Sequence, residues 1–386
     1  MITLAWVCFA CAAVPAVLYL WNTRLFREPP APGAGHHPRP ISVLIPARNE
    51  ESGIAACVES VLASRGVEIE VVVLDDHSTD RTAEIVREIA LKDSRLSLAP
   101  APPLPEGWCG KQHACYTLSK LAKYDVLTFL DADVRLDPDA LAALAKFLDT
   151  SAAALVSGFP KQATGTILEK LLIPLIHWLL LCWLPLWGMR HFRWSAFGAG
   201  CGQWFMTTRD AYQKVGGHTA VKASLHDGLT LPRAYRKAGF FTDICDARHL
   251  ANCRMYRTAS AMWNGLAKNA REGLASNGQI GFWTVVMVCG QVMPIVLLIT
   301  ALARPGIPVE VLYISFVALL CVQYTRYAMQ VRFHHDPIGM LLHPLAILLL
   351  LTIQWYAIAR SIIGKPVRWK GRPRAGLSSG QVNPPS

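Results

Sequence analysis

Long apolar segments lie at both ends of the chain, and short alternating apolar and polar segments lie between them. Residues 1–21 contain no charged side chain, and about 20 apolar residues in a helix span the hydrocarbon core of a bilayer. We therefore predict a transmembrane anchor at 1–22 and a Pro- and Gly-rich linker at 23–40. A signal peptide is the alternative, but its basic residues would precede the apolar run, whereas Arg24 and Arg27 follow it.

The pattern from 41 to about 145 predicts strands that alternate with helices. The runs ISVLIPA, IEVVVLDD and VLTFLDAD are rich in β-branched and apolar residues. The runs EESGIAACVESVLAS and TDRTAEIVREIALK carry apolar residues at helical spacing. This alternation predicts an α/β domain with a Rossmann-like, mostly parallel sheet, in which ligands bind at the carboxyl ends of the strands.

Polar residues follow all three predicted strands at this edge of the sheet. They are Arg48, Asn49 and Glu50, then Asp75 and Asp76, and finally Asp131 and Asp133. Because three strand ends coincide, the sequence predicts a binding site there.

Asp131 and Asp133 form an Asp-x-Asp pair, whose side chains leave an extended chain on the same side. Closely spaced carboxylates repel each other unless a cation lies among them. Two such oxygen ligands suit Mg²⁺ or Mn²⁺ shared with a substrate diphosphate, so we predict a divalent cation there. A solvated turn that caps the next helix is the alternative, and we adopt it for Asp137, as the capping residue, and for Asp139.

Three further apolar segments between 280 and 361 predict transmembrane helices. Another apolar stretch, interrupted by Pro174 and Pro185, lies inside the polar part of the chain. A single crossing there would place the two parts of the site on opposite sides of the membrane. We therefore expect the insert at 167–190 to form a helix pair that lies on the membrane or re-enters it.

The composition agrees with a membrane protein that has a reduced, cytoplasmic polar part. Hydrophobic residues make up 52% of the chain, charged residues make up 17%, and the net charge is +11. Basic residues flank the apolar segments, as at cytoplasmic membrane edges, and no basic stripe with interleaved aromatics indicates nucleic acid binding. The 11 scattered cysteines form neither a zinc-binding nor a disulfide pattern.

The tail at 362–386 is basic and is predicted to be disordered. Three crossings after a cytoplasmic domain would place this tail outside, against the usual cytoplasmic location of basic segments. We therefore favour a topology in which one of the C-terminal segments does not cross fully.

Six motifs follow one another in the order ISVLIPARNEE, VVVLDDHSTDRTAEIV, GWCGKQHACYTL, LTFLDADVRLDPDAL, GAGCGQWFMTTRDAYQKVGGH and HDGLTLPRAYRKAGF. Together they resemble the family 2 inverting glycosyltransferases with the GT-A fold. The spacing is most similar to the membrane-bound subgroup that glycosylates lipids, such as ceramide glucosyltransferases and the hopanoid- and carotenoid-associated enzymes. The resemblance covers 41–269 and implies a GT-A domain at 41–275.

The resemblance implies roles for individual residues. Asp75 and Asp76 match the acidic pair that contacts the uracil base, Asp133 matches the direct metal ligand, and Asp131 lies nearer the ribose. Asp227 matches the general base that takes the proton of the acceptor hydroxyl, although a helix N-cap is the alternative. A surface lysine is the alternative for Lys111. The residues implied to bind the nucleotide-sugar are Pro46, Arg48, Glu50, Asp75, Asp76, Lys111, Asp131 and Asp133.

The chain departs from the family pattern in two places. His226 stands where a glutamate is common. Arg254 and Arg257 have the spacing of a Gln/Arg-x-x-Arg-Trp motif, but Thr258 follows where tryptophan is expected. An amphipathic helix on anionic lipid is the alternative for this region. The residues expected on the acceptor or diphosphate side are Gln203, Arg254, Arg257 and Trp263.

These implications predict a membrane-bound inverting glycosyltransferase that moves a sugar from a nucleotide-sugar, expected to be UDP-linked, to a hydroxyl of a lipid acceptor. The catalytic domain is expected at the cytoplasmic face of a multi-pass inner-membrane protein. A processive polysaccharide synthase is one alternative, although such enzymes usually have more crossings and an intact Gln-x-x-Arg-Trp motif. A membrane transport or scaffold protein with a nucleotide-binding domain is the alternative from another class, and the few intramembrane charges argue against it.

Overall fold

The computed structural model describes residues 1–32, 38–270, 272–273 and 278–363. Part of the predicted linker and all of the basic tail from 364 lie outside the described residues. The strands are β1 (Ile41–Ala47), β2 (Ile69–Asp75), β3 (Leu96–Pro100), β4 (Val126–Leu130), β5 (Val134–Leu136), β6 (Ala153–Gln162), β7 (Trp204–Thr208) and β8 (Phe241–Cys253).

Helices cover both faces of the sheet and also form the N-terminal and C-terminal parts of the described chain. The helices before β7 are α1 (Ile2–Leu25), α2 (Ile54–Leu62), α3 (Thr82–Ala90), α4 (Gly110–Leu121), α5 (Ala140–Thr150), α6 (Ile167–Leu172), α7 (Pro174–Trp183) and α8 (Leu186–His191). Those after β7 are α9 (Arg209–Val215), α10 (Asp227–Lys237), α11 (Ala259–Ala270), α12 (Ile280–Met287), α13 (Met293–Ala303), α14 (Val309–Phe333), α15 (Ile338–Leu341) and α16 (His343–Ile362).

The strands form one eight-stranded sheet in the order β3-β2-β1-β4-β7-β6-β8-β5. β1 pairs in parallel with β2 and β4, β2 pairs in parallel with β3, and β6 pairs in parallel with β8. β7 runs antiparallel to both β4 and β6, and β5 runs antiparallel to β8. The predicted α/β domain with a Rossmann-like, mostly parallel sheet is therefore confirmed.

Strands β1, β4 and β7 are buried along almost their whole length, because helices pack on both faces of the sheet, as in other parallel sheets. Val43 and Ile45 in β1 face a core that contains α2, whereas Leu44 faces a second core that contains α4 and α10. Successive side chains of a strand point to opposite faces. The uninterrupted apolar run of β1 therefore serves two cores, and the polar residues collect at the strand's end.

The N-cap of helix α5 lies two residues later than the predicted cap at Asp137. Asp139 occupies the N-cap position and its side chain makes no capping hydrogen bond. The Asp137 carboxylate instead accepts the N–H of Asp139 at 3.1 Å, which forms a local turn before the helix. The prediction of Asp137 as the capping residue was therefore wrong.

Within the described part of the chain, four helical segments are long and apolar enough to cross a membrane: Ile2–Leu25, Ile280–Ala303, Val309–Phe333 and His343–Ile362. The second consists of α12 and α13 joined by a π-helical turn, Val288–Val292. A Cβ at Gly290 in this turn would lie 2.5 Å from the carbonyl oxygen of Cys11. Glycine therefore permits the close approach of α1, as small residues commonly do between membrane helices.

The predicted insert at 167–190 forms three short helices, where the sequence predicted a helix pair. Pro174 begins α7 and Pro185 caps α8, so each proline starts a helix. Helix α7 has only ten residues, which is too short to cross a bilayer. The buried Asn22 of α1 holds the break between α7 and α8. Its amide donates to the carbonyls of Leu181 and Leu184 and accepts the N–H of Leu186.

Helix α16 runs back toward the catalytic domain. His343 in its first turn contacts Gln291 (Nε2 to Oε1, 3.1 Å), which lies near the middle of the α12–α13 segment. Farther along, the Trp355 indole donates to Thr284, close to the start of that segment. The ring of Tyr356 lies 5.7 Å from the ring of Trp263 in α11.

Candidate active site

The loops after β1 and β2 are held together by hydrogen bonds between their polar residues. Asn49 and His77 adopt left-handed backbone conformations, with φ of 51° and 55°. The Asn49 side chain accepts the N–H of Thr79 at 2.8 Å, and Arg48 donates to the carbonyl of Asp76 at 2.6 Å. Unfavourable backbone conformations of this kind persist where the surroundings fix them, often at functional sites.

A lysine ammonium lies between the predicted general base Asp227 and the predicted metal- and nucleotide-binding Asp131. Lys111 Nζ is 2.7 Å from Asp131 and 2.9 Å from Asp227, and it also donates to the carbonyl of Gly202. Asp131 directly follows β4, Lys111 lies in the first turn of α4, and Asp227 begins α10. Three distant segments thus converge on one ion-pair network.

Asp227 does not cap its helix. His226 occupies the N-cap position without a capping hydrogen bond, and Asp227 is the first residue of α10. The Asp227 carboxylate accepts the N–H of Gly228 at 3.0 Å in addition to its ion pair with Lys111. A Cβ at Gly202 would lie 2.2 Å from Asp227 Oδ1, so only glycine leaves room for this carboxylate.

The site carries more negative than positive charge. Three carboxylates (Asp131, Asp133 and Asp227) face two ammonium groups, that of Lys111 in direct ion pairs and that of Lys268 at longer range, which leaves an excess of one negative charge. Burial raises the pKa of Asp131 to about 7 against the effect of Lys111, and burial also raises the pKa of Asp133. Although burial acts in the same direction on Asp227, the charge of Lys111 outweighs it and lowers the pKa of this carboxyl. Asp227 is therefore ionised at neutral pH.

The residues fit a divalent cation that shares its ligands with a substrate. Asp133 Oδ1 is buried and has no hydrogen-bond partner among the described residues. Together with Asp131, it faces the site where negative charge is in excess. Among the same described residues, no group of three or more His, Cys, Asp and Glu side chains forms a metal site. The protein therefore offers two carboxylates, and a bound diphosphate would have to complete the coordination.

Gln203 is buried in a network beside Asp133. Its amide group donates to Cys253 Sγ at 2.7 Å and accepts from Gln162 Nε2 at 2.8 Å. The Cys253 thiol in turn hydrogen-bonds to Asp133. Gln203 thus lines the site, and its amide orients the thiol next to the predicted metal ligand.

One cavity of about 820 Å³ joins the carboxylates to an apolar region. Its polar end is lined by Arg48, Glu50, Asp76, Lys111, Asp131, Asp133 and Asp227. We call the remainder the apolar arm; it lies between α7, α12 and α16 and is lined by Ile176, Leu179, Leu180, Trp183, Trp283 and Leu350. Both a charged ligand and a hydrocarbon chain can therefore occupy the same cavity.

Most of the predicted site residues come together at this cavity, but four do not. Asp75 is the last residue of β2 and does not line the cavity. Its Oδ2 accepts one long hydrogen bond (3.4 Å) from the N–H of Ser78. Arg254 pairs with Glu169 at 3.3 Å, Arg257 is exposed, and Trp263 packs against α16. Arg254, Arg257 and Trp263 are therefore not brought to the acceptor side of the site in this structure.

Several cavity residues were missed by the sequence analysis. Arg233 lies on α10 and Lys268 on α11, while Gln354 lies on α16. Burial and the nearby charge of Lys111 lower the pKa of Lys268. Of these residues, only Arg233 could have been predicted from the sequence. It lies seven residues after His226, and residues seven apart share a face of a helix.

Glu272 fixes the segment before Asp227. Its carboxylate accepts the N–H groups of Leu225 (3.0 Å) and His226 (3.2 Å) and the hydroxyl of Ser224. Burial lowers the pKa of His226 to about 4, so its imidazole is neutral beside Asp227. The position next to the predicted base therefore carries no charge at neutral pH.

Part of the chain matches a known protein family. Residues 42–216 match the family described as Glycosyl transferase family 2. A stretch of 103 residues is 40% identical to the 4,4'-diaponeurosporenoate glycosyltransferase of Staphylococcus haemolyticus strain JCSC1435, covering 27% of this chain and 26% of that protein. The Staphylococcus aureus strain USA300 protein of the same name is 25% identical over 350 residues, which cover 86% of this chain and 87% of that protein.

Among solved structures, the mannosyltransferase PcManGT from Pyrobaculum calidifontis, in complex with GDP-Man and Mn²⁺, shares the fold. The TM-score is 0.53 and the sequence identity is 18%, with 93% of this chain and 98% of that chain covered. This likeness confirms the predicted GT-A fold. The predicted enzyme class is confirmed by the family match over residues 42–216 and by the staphylococcal relatives.

Proposed function

We propose that this chain, a glycosyltransferase whose residues 42–216 form a family 2 domain, moves a sugar from a UDP-sugar to a hydroxyl of a lipid acceptor. The observation that carries the proposal is the single cavity that joins Asp131, Asp133 and Asp227 to the apolar arm. The staphylococcal relatives, which are named for a carotenoid acid, support an elongated apolar acceptor.

The donor would occupy the polar end of the cavity. Asp76 is buried at the end of β2 and lines the cavity, where its carboxylate could accept the N–H of a nucleotide base. Arg48 and Lys111 line the same end and supply positive charge for a diphosphate. The nucleotide therefore lies across the ends of β1, β2 and β4, as ligands of open α/β sheets do.

Asp133 and Asp131 would hold the divalent cation against the diphosphate. A cation at this position neutralises the negative charge that develops on the leaving group. The Mn²⁺ and GDP-Man in the PcManGT structure support such a shared site. Lys111 assists from the opposite side, because its ammonium is already within 3 Å of Asp131 and Asp227.

Asp227 would act as the general base. The acceptor oxygen forms a bond to the anomeric carbon as the bond from that carbon to the diphosphate breaks, and Asp227 takes the hydroxyl proton. Attack opposite to the leaving group inverts the anomeric configuration. The carboxylate is suited to this step because Lys111 keeps it ionised and Gly202 leaves space beside it.

The lipid would enter from the membrane through the apolar arm. Trp183 and Trp283 meet edge to face in its wall, with ring centroids 5.2 Å apart. Around α8, Trp187, Phe192 and Trp194 expose 45%, 37% and 63% of their surface. Aromatic side chains of this kind concentrate at membrane–water interfaces. The catalytic domain would therefore lie against the cytoplasmic face of the inner membrane.

The proposal is tested with Asp227→Asn in the full chain. Purified protein is incubated with Mg²⁺ or Mn²⁺, a bacterial lipid extract and either a UDP-sugar or GDP-mannose, and glycolipid is measured by mass spectrometry. We expect lipid product from a UDP-sugar in the wild type and at least a hundredfold lower turnover in the variant, since a base contributes about 10²–10⁴. Nucleotide binding, measured by calorimetry, should stay within twofold.

Asp210→Asn is the matched control, because Asp210 is exposed on α9 and pairs only with Lys214. It should retain wild-type turnover. A labelled polymer instead of glycolipid would indicate a processive synthase, and nucleotide binding without any transfer would indicate the transport or scaffold class. Either result, or an active Asp227→Asn enzyme, contradicts the proposal.

A further inference from the structure

Two arginines on α10 have opposite environments. Arg236 is 2% exposed, and its guanidinium donates to the hydroxyl and carbonyl of Thr242 and to the carbonyls of Phe192 and Met189, at 2.6–2.9 Å. Arg233, one turn earlier, has no hydrogen bond and no ion pair among the residues that the structure describes, and its Nε is buried. The fold therefore explains Arg236 but leaves Arg233 unexplained.

Arg233 belongs to the wall of the cavity. His226, Leu229 and Arg233 are spaced by three and four residues, so they share one face of α10, and all three line the cavity. The backbone of Gly198 packs on Arg233, where a Cβ would lie 2.8 Å from Arg233 Cγ. The base of the side chain is thus fixed at the wall of the cavity that also contains Asp227.

Among the described residues, no carboxylate forms an ion pair with the guanidinium of Arg233. Burial lowers the pKa of Arg233, and no acidic group counteracts the shift. The carboxylates of Asp131 and Asp227 are engaged by Lys111. A partly buried cation without a counter-ion destabilises the folded chain, which points to a ligand that supplies the missing negative charge.

We propose that Arg233 binds a carboxylate of the lipid acceptor and so selects acidic lipids. One planar guanidinium matches one carboxylate in charge and in its pair of parallel hydrogen bonds. His226, which lies beside Arg233, is neutral and therefore does not repel a carboxylate. The proposal rests on the lipid acceptor proposed above, and it adds the chemical class of that lipid.

The test uses binding alone, so that it does not depend on turnover. The full chain in neutral detergent at pH 8 is titrated with cis-parinaric acid and with its methyl ester, two fluorescent polyenes that differ in one charge. No nucleotide-sugar is present. We expect the acid to bind the wild type at least tenfold more tightly than the ester. In Arg233→Gln the two should bind within twofold of each other, because affinity for the acid falls while affinity for the ester is unchanged.

Unchanged affinity for the ester also shows that the variant cavity is folded. Arg233→Lys should keep part of the preference, and Lys237→Gln, which removes an exposed charge from the same helix, should keep all of it. Equal affinities in the wild type, or a parallel loss of both ligands in Arg233→Gln, would overturn the proposal. If no sugar is transferred in the turnover assay but the acid preference depends on Arg233, the proposed activity fails while the acid site stands.

Discussion

At the scale of single residues, the arrangement around Lys111 determines both stability and chemistry. Its ammonium pairs directly with Asp131 and Asp227, whereas Asp133 Oδ1 has no hydrogen-bond partner among the described residues. The charges of the empty site are therefore imbalanced in favour of the carboxylates, and a divalent cation bound between them would reduce their repulsion. The same imbalance makes two substitutions act in opposite directions on the empty protein.

Asp131→Asn should stabilise the protein in the absence of nucleotide and metal, because it removes one of three mutually repelling carboxylates. We expect its melting temperature to rise by a few degrees, while glycolipid formation falls at least a hundredfold. Lys111→Met should lower the melting temperature by several degrees, since it leaves buried carboxylates unpaired. Thermal unfolding followed by tryptophan fluorescence measures both. Equal destabilisation by the two variants would contradict this account of the charges.

Sequence reasoning identified Asp131, Asp133 and Asp227 because each lies at a strand or helix end inside a continuous motif. Lys111 was predicted only as a nucleotide-binding residue, and its bridge between Asp131 and Asp227 depends on contacts between three separate segments. Arg233 was missed for the opposite reason, because nothing in its local sequence distinguishes it from the structural Arg236. Only the packing of α10 in the structure shows that Arg236 has hydrogen-bond partners, whereas Arg233 has none among the described residues.

At the scale of elements, the insert of α6, α7 and α8 connects the catalytic domain to the membrane helices. Its prolines were visible in the sequence, and they account for the helix starts at Pro174 and Pro185. The sequence could not show that Asn22, more than 150 residues away, satisfies the backbone at the break between α7 and α8. Long-range hydrogen bonds of this kind leave no local pattern.

Asn22→Leu should therefore destabilise the insert. The substitution removes three hydrogen bonds and leaves two carbonyls and one N–H without partners at a fully buried position. We expect a loss of about 2–4 kcal/mol of stability, measured as a lower midpoint of thermal unfolding. Thr23→Val, which removes only a bond within α1, is the control. If Asn22→Leu is as stable as Thr23→Val, the three hydrogen bonds of Asn22 are not needed for stability.

At the scale of the whole molecule, four candidate spans do not require four crossings. Helix α16 contacts the middle of the α12–α13 segment with His343 and the start of that segment with Trp355. It then reaches α11 of the catalytic side. Length and apolar composition cannot distinguish a crossing helix from one that returns to the side it entered, which is why the sequence left the topology open.

We predict three crossings, with residue 363 on the same side as the catalytic domain. Alkaline phosphatase and green fluorescent protein fusions after 363 should report the cytoplasm, and fusions in the 304–308 loop between α13 and α14 should report the periplasm. The basic residues after 363 would then follow the positive-inside tendency. Phosphatase activity after 363 would instead establish four crossings.

The attachment of the catalytic domain to the membrane helices has a further consequence. Arg332 near the end of α14 donates to Asp246 in β8 at 2.8 Å and to the carbonyls of Thr23 and Phe26 at the end of α1. The domain is therefore fastened to two spans at once, and the height of Asp227 above the bilayer is fixed. An acceptor with its tail in the membrane reaches that height only if the distance from tail to reactive oxygen is right. With the lipid acceptor proposed above and these helices in the bilayer, the enzyme would measure the length of the acceptor head, and it would pass over lipids whose head is too short or too long.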